Sequence, residues 1–371
     1  MAVSTVHPTR DTEQLARLLD SLEITRLIAE LQETRWTGRP GYPIRTMVGM
    51  ALVESLYALP TWTRTVALVN DHVGLRNVLG DAPSVYACYR FTTKLRQFSE
   101  MVEQCIGDVL GALHAELPDM GTHIAVDGSD LPAYANGQRY VSKGGRLRER
   151  FSDPDASWGH RSSISTRSGG GYYGYKVHAA VCTTTGLRSH GKFVRRRMPE
   201  IPVVSDLLDK LSSRGFSPEY AMFDKGYDGT PIYEACKVRG IRPIIPLKQT
   251  AGVKAGKASP PWCKHGTWTF AGSDMERGAS KWRCPTGECT PGSVWVKVDR
   301  FHPLVPRDTA RFKALYRQRG AVEREFGRLK HEWAMLPLRV RRIERVRLHA
   351  NLSILARLVV ALDKALVAAA A

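Results

Sequence analysis

The sequence predicts a mixed α/β protein with a helical N-terminal region, a core of alternating strands and helices, a small insertion, and a closing helical segment. Three observations carry that prediction. Apolar residues recur at helical spacing in Leu15-Ala-Arg-Leu-Leu-Asp-Ser-Leu22 and again from Met47 to Leu59. Between residues 120 and 248, short apolar runs bounded by turn residues alternate with amphipathic stretches. Residues 250 to 305 break that rhythm and crowd in four of the eight tryptophans, Trp262, Trp268, Trp282 and Trp295.

At 371 residues the chain fits two or three domains and can bury a substantial core. The expected divisions are 1–117, a helical region; 118–249, the first part of the core; 250–306, the insertion; and 307–371, helices that complete the core. Helices fill the first region from residue 12, and Arg39-Pro-Gly-Tyr-Pro43 breaks the first pair. A helical, basic-tinged region of this kind suits DNA recognition, although no clear helix-turn-helix signature appears there. The expected strands are 123–127, 174–183, 187–195, 220–224 and 242–246. Pro202 to Leu211 and Pro231 to Val238 read as helices, each with proline near its first turn. Between the first two strands lies a Gly/Ser/Arg-rich loop, 134–171, whose Ser162–Gly171 tract has a flexible composition. One long helix, 309–332, is expected to pack against the sheet.

The chemistry sits first on that helix, in Tyr316-x2-Arg319-x3-Glu323-x6-Lys330. At about 100° per residue, these offsets place all four residues within a stripe roughly 60° wide. A carboxylate flanked by two cations and a phenol suits a metal ligand beside a phosphate-bearing substrate. The plainer reading is an amphipathic helix with i,i+3 and i,i+4 charge pairs. Upstream, His123-Ile-Ala-Val-Asp127-Gly and Tyr220-Ala-Met-Phe-Asp224-Lys-Gly each read as an apolar strand ending in an aspartate at a turn. Either aspartate alone reads as a turn former. Two of them joined by a helix-borne Glu323 favour a carboxylate metal site, since hard oxygens are what Mg²⁺ prefers. Asp130 and Asp228 rank second, each lying beyond its strand end. Glu325 competes with Glu323 but is turned roughly 200° around the helix. Three consecutive strands, then strand–helix alternation with carboxylates at strand ends, look like a ribonuclease-H-like core.

At these residues the chain resembles the DDE transposases of bacterial insertion sequences, in the branch that carries a tyrosine–arginine–glutamate–lysine signature. Tyr316, Arg319, Glu323 and Lys330 match it with every spacing intact, and Val126-Asp127-Gly128 and Asp224-Lys225-Gly226-Tyr227-Asp228 match around the aspartates. Tyr172-Tyr-Gly-Tyr-Lys176-Val-His178 is similar to the second core strand. Pro43-Ile-Arg-Thr-Met-Val and Leu56-Tyr-Ala-Leu-Pro-Thr-Trp62 are similar to the N-terminal helical domain. The likeness implies Asp127, Asp224 and Glu323 as catalytic, metal-holding residues, with two Mg²⁺ or Mn²⁺ ions roughly 3.5–4 Å apart serving an in-line phosphoryl displacement. It implies that Arg319, Lys330, Tyr316 and Lys225 meet DNA phosphates. Double-stranded DNA, as transposon ends and as target, would be the partner of a homodimer in the synapse. A DNA-binding descendant without activity and a structure-specific nuclease with the same core are the alternatives.

Charge agrees with a polyanionic partner. Lys and Arg number 54 against 36 Asp and Glu, for a net +18. Thirteen Lys/Arg face five Asp/Glu between Arg307 and Arg347. Further clusters are Arg139, Lys143, Arg146, Arg148 and Arg150, and Arg195-Arg196-Arg197. Each alone reads as a solvated face; three flanking the carboxylates favour a phosphate-tracking surface. Arg10, Asp11, Glu13, Arg17 and Asp20 leave no signal-peptide core, and Arg357, Asp363 and Lys364 interrupt the apolar run from Leu352 to Ala371. The expectation is a cytoplasmic, nucleoid-associated bacterial protein with a core-packing C-terminal helix, no membrane partner, and seven reduced cysteines.

In the insertion, Cys263-x-His265 and Cys284-x4-Cys289 form a soft donor set compatible with structural Zn²⁺. Neither half has the common two-residue gap, and His302 competes with His265. The tryptophans read as the core of a small β-rich module; one beside a flipped base is the sharper alternative.

Overall fold

The computed structural model describes residues 12–34, 41–138, 151–161, 168–195, 200–248 and 258–371. The helical region holds α1 (Thr12–Asp20), α2 (Leu22–Glu33), α3 (Ile44–Leu56), α4 (Trp62–Asp71), α5 (Val73–Leu79), α6 (Val85–Gln97) and α7 (Ser99–Glu116). Helix α3 is apolar on nearly every side and is surrounded by its neighbours. Thr61 and Ser84 start α4 and α6 by accepting from the backbone N–H groups of Arg64 and Ala87.

The core follows with β1 (His123–Pro132), β2 (Ser157–Arg161), β3 (Gly170–Cys182), β4 (Arg188–Arg195), α8 (Glu200–Ser213), β5 (Tyr220–Phe223), α9 (Thr230–Lys237) and β6 (Arg242–Ile244). These form one mixed sheet in the order β2-β3-β1-β5-β6, with β4 also paired to β3. The pairings of β3 with β1, β2 and β4 are antiparallel, while β1, β5 and β6 run parallel. Every residue of β5 is buried, as are Ile124 to Val126 of β1, because helices cover the sheet.

The insertion contributes β7 (Trp262–Cys263), β8 (Gly266–Thr267), β9 (Thr269–Asp274), β10 (Ala279–Arg283) and β11 (Ser293–Lys297). Strands β9, β10 and β11 make an antiparallel sheet, and β7 and β8 a separate hairpin. Trp268, Trp282 and Cys284 form its core, whereas Trp262 is 79% exposed and Trp295 lies beneath the Arg277 guanidinium at 4.5 Å. The chain ends in α10 (Ala310–Arg317), α11 (Gly320–His331) and α12 (Ile343–Ala370). Helix α12 buries most of its residues between Val346 and Leu362 and packs against α3, α7 and β4.

Three elements depart from expectation. The first strand continues past Asp127 to Pro132, because β3 is long enough to pair with it as far as Gly174. Residues 157–161 form β2 inside the expected loop, where the first residues of β3 offer an edge to pair with. The expected helix 309–332 is two helices. Its ladder tightens at Gln318 and Arg319, whose carbonyls accept from Ala321 and Val322, three residues on. Gly320, a poor helix former, follows the break. The Gln318 amide oxygen accepts from Thr183 Oγ1 at 2.9 Å and lies 3.2 Å from His123 Nδ1, which pins the break to the sheet.

Among the described residues no helix is long and apolar enough to cross a membrane. The basic cluster from Arg139 to Arg150, Arg196 and Arg197, the Arg195 side chain, and residues 162–167 of the Gly/Ser tract lie outside the described residues.

Candidate active site

Parallel pairing of β1 with β5 aligns Val126 with Phe223, so Asp127 and Asp224 emerge side by side where β5 ends. Neighbouring strands are about 4.8 Å apart, which sets the spacing of the two carboxylates' backbones. Asp224 then opens a 3-10 turn, Lys225–Tyr227, and the Tyr227 hydroxyl lies 3.2 Å from His178 Nδ1 on β3. Gly128 has a steric role here: a Cβ would sit 2.4 Å from Lys176 Cε and 2.9 Å from the His178 ring. That close approach seats the Lys176 and His178 side chains against the β1 backbone at Gly128.

Asp127 Oδ1 accepts from its neighbour's amide, Gly128 N, at 2.7 Å, and Oδ2 accepts from Arg319 Nη1 at 2.9 Å. The other arm of the guanidinium, Nη2, donates to Glu323 Oε1 on the first turn of α11. Arg319 thus bridges a carboxylate on the sheet and one on the helix. Burial pushes the Asp127 carboxyl above its ordinary value, against the pull of the Gly128 hydrogen bond and Arg319, and the Asp224 charge adds to the rise. Glu323 remains largely exposed, at 59% of its side chain. Tyr316, on α10, stacks on Phe312; burial raises its phenol, and the charges of Asp224 and Glu323 add to that rise.

The structure therefore gathers Asp127, Asp224, Tyr316, Arg319 and Glu323. The other residues take different places. Lys330 donates to Ser129 Oγ at 2.6 Å and to the Asp130 carbonyl at 2.8 Å, tying α11 to β1. Lys225 is exposed at the turn. Asp130 accepts from the Tyr172 hydroxyl. The Asp228 side chain is fully buried and accepts from Arg300 Nη2 at 2.9 Å, Lys248 N at 2.8 Å and the Tyr233 hydroxyl at 3.4 Å. It is a junction between the core and the segment after the insertion. Glu325 is 1% exposed on the opposite face of α11, near Arg357 and Arg328, and burial pushes its carboxyl up to about 7. The sequence reading missed Gln318, Arg300 and Gly128's steric role. Only the Asp-Gly dipeptide carried a signal of them.

In the insertion, the sulfurs of Cys263, Cys284 and Cys289 lie within 4.8 Å of one another, and His265 is outside that close set. His265 Nδ1 meets Glu288 Oε2 at 3.2 Å, and His302 Nδ1 meets Asp299 Oδ1 at 3.3 Å. Desolvation raises the Cys284 thiol, but hydrogen bonds from Thr286 and Cys289 outweigh it and bring the group down to about 6. Desolvation and the neighbouring sulfurs push Cys289 up to about 12.

Two family models match the chain. One, described as a transposase DDE domain, covers residues 118–359, and the other, a transposase domain (DUF772), covers residues 4–105. The chain belongs to the DDE transposase family and is an enzyme of DNA transposition. The family generally works with divalent metal ions. No curated protein matches. Among solved structures, a piggyBac transposase synaptic complex with hairpin DNA aligns at 13% identity and a TM-score of 0.44, covering 95% of this chain and 75% of that one.

Proposed function

We propose that Asp127, Asp224 and Glu323 hold divalent metal, Mg²⁺ or Mn²⁺ as a pair of ions, and that the site cuts transposon ends and joins the resulting 3′-hydroxyl to target DNA. The observation that carries this reading is the Arg319 fork, which spans Asp127 and Glu323 beside Asp224. The donor set fits such a metal: the oxygens are hard, and the rise of the Asp127 carboxyl, caused first by burial with the Asp224 charge adding to it, is a cost that a cation relieves. When bound, the metal would make water and a 3′-hydroxyl better nucleophiles and neutralise charge building on the phosphate.

The protein's own groups supply the rest. The sheet fixes the two aspartates, and Gln318 fixes the start of α11 against that sheet, so Glu323 faces them across a short gap. Arg319, between Asp127 and Glu323, would hold the phosphate beside the scissile bond. Tyr316, beside Arg319, orients the strand. Lys330 positions β1 through Ser129, and Lys225 at the exposed turn meets a more distant phosphate.

Double-stranded DNA has a surface to follow. A groove of about 420 Å³ is lined by Arg96, Arg339, Arg341 and Arg345 with Tyr89 and Tyr134, and Arg341 lies 5.2 Å over the Tyr134 ring. Guanidinium groups interleaved with aromatic rings suit phosphates and bases together. The strand order and directions of the main sheet support a ribonuclease-H-like core. The intact Tyr316-x2-Arg319-x3-Glu323-x6-Lys330 spacing supports the insertion-sequence branch that carries this signature. Two ends cut together imply a homodimer acting in the bacterial cytoplasm.

Cleavage and joining of labelled DNA bearing the element's ends, with Mg²⁺ or Mn²⁺, tests the reading. Asp127→Asn, Asp224→Asn and Glu323→Gln each lose both activities by more than the roughly 10–100-fold typical of residues one shell further out, while still binding DNA. Glu325→Gln, on the far face, keeps them. Cleavage without joining in the wild type would make the protein a nuclease. Binding without cleavage in either metal would make it a DNA-binding descendant.

A further inference from the structure

The geometry points to a structural zinc site in the insertion, formed by Cys263, Cys284 and Cys289 with His265 as fourth ligand, separate from the carboxylate site and independent of its reading. Cys263 lies on β7, Cys284 just after β10, and Cys289 in the loop leading to β11, so one ion would tie the β7–β8 hairpin to the three-stranded sheet.

Three features support it. The Cys263 and Cys284 sulfurs are 3.8 Å apart. Two thiolates bound tetrahedrally to one zinc at ~2.3 Å are separated by about 3.8 Å, and a disulfide would need ~2.05 Å. Second, His265 Nε2 is buried with no hydrogen-bond partner among the described residues, while Nδ1 faces Glu288 Oε2 at 3.2 Å. A carboxylate that holds one ring nitrogen fixes the tautomer that leaves the other free for metal. Third, the module is small. Its buried core is Trp268, Trp282 and Cys284, with Phe270, Val294 and Val296 only partly buried around it, a small apolar core for a module of short strands and loops. The ring must swing toward the sulfurs to complete the tetrahedron, a movement of one side chain at the tip of a two-residue-strand hairpin.

The balance of the binding step is simple. Zn²⁺ replaces the protons of the three thiols, which pass to solvent, and takes neutral His265 through Nε2. No redox partner is needed.

The test is metal content of the full chain, produced with zinc supplied and washed with excess Mg²⁺. The expected result is one zinc per chain in the wild type, in Asp127→Asn and in the control Cys182→Ser, and loss of zinc in Cys284→Ser. Because Cys284→Ser can fail to fold, the wild type also carries its own check. A thiol reagent should release zinc in step with modification of three thiols, and cobalt in place of zinc should show thiolate-to-metal charge transfer with the intense visible bands of a tetrahedral site. His265→Ala should weaken those bands. Wild type without zinc and with Cys263, Cys284 and Cys289 freely reactive, or with a disulfide among them, overturns the site. Zinc lost in Asp127→Asn assigns the ion to the carboxylates instead. Unchanged cobalt bands in His265→Ala remove His265 from the ligand set.

Discussion

At Arg319 one side chain bridges two carboxylates from different elements. Its guanidinium reaches Asp127 through Nη1 and Glu323 through Nη2, and a planar fork is what spans two carboxylates at once. Arg319→Lys keeps the charge and loses the fork. Cleavage rates for that variant should fall by about 10-fold or more, with DNA affinity little changed, as measured by single-turnover assays beside binding titrations. Equal rates for lysine and arginine would mean that charge alone suffices. Two residues on from Glu323, Glu325 faces a different environment. It is buried, its oxygens accept no hydrogen bond among the described residues, and Arg357 Nε at 3.5 Å only partly offsets the cost. Its folded-state pKa of about 7 stands above the ordinary value of 4.5, so the native protein binds this proton more tightly than the unfolded chain does. The stabilisation it gives is full below the unfolded value and is lost as pH rises through the folded one. Stability should decline by up to about 1.4 kcal/mol per pH unit between about 5 and 7 from this group alone. Glu325→Gln should flatten that decline in urea unfolding at several pH values, and an unchanged slope would assign it to other groups.

Elements deliver those side chains, and they were legible to different degrees. The two Asp-bearing strands declared themselves through matching apolar runs that stop at a turn, and their parallel pairing then sets Asp127 beside Asp224. Periodicity marked the closing helices but could not mark the break at Gln318, which is held by Thr183 and His123 from distant strands. A ladder defect fixed by tertiary contacts leaves no trace in local spacing. Strand β2 was hidden for the same reason: Ser157-Trp-Gly-His-Arg161 is polar, and an edge on β3 makes it a strand. The start of α12 is another case. Asp153, remote in sequence, accepts from Arg342 N at 3.1 Å and from the Tyr175 hydroxyl at 2.7 Å, while Asp155 accepts from Ile343 N at 3.1 Å. One N–H at the helix start and a buried phenol thus share the Asp153 carboxylate. Asp153→Ala leaves both donors unpaired and should cost about 2–3 kcal/mol in chemical denaturation, whereas Asp153→Asn, which still offers an oxygen, should cost about 1. Equal costs for the two would show that the carboxylate charge, and not the acceptor, holds the helix.

Across the whole molecule, one apolar core crosses the boundary expected at residue 117. It runs from Leu15 and Leu18 in α1 through Val126 and Val177 in the sheet to Leu355 and Leu358 in α12. Helix α12 is the reason. It follows the catalytic-domain helices in sequence, yet its inward face meets α3 and α7, so the last segment of the chain closes the first. Leu352 and Leu355 share a small apolar space with Leu27, Leu31, Val48 and Leu52. A helix buried on most sides couples what it touches, and separation of the N-terminal helices from the core would expose the α12 surface on both partners. Leu355, 1% exposed, is a direct probe of that coupling. Leu355→Ala should cost about 2–5 kcal/mol. The informative quantity is where amide exchange quickens. If the core acts as one cooperative unit, exchange in α3 and α7 and in β1 and β3 accelerates by the same factor, because all of them open with the loss of α12 packing. If the helices quicken while β1 and β3 keep their protection, the N-terminal region unfolds on its own and the division at residue 117 is a true domain boundary. The continuous core favours the first outcome, and with it a site whose paired aspartates and N-terminal helices are held to one another through the C-terminal helix.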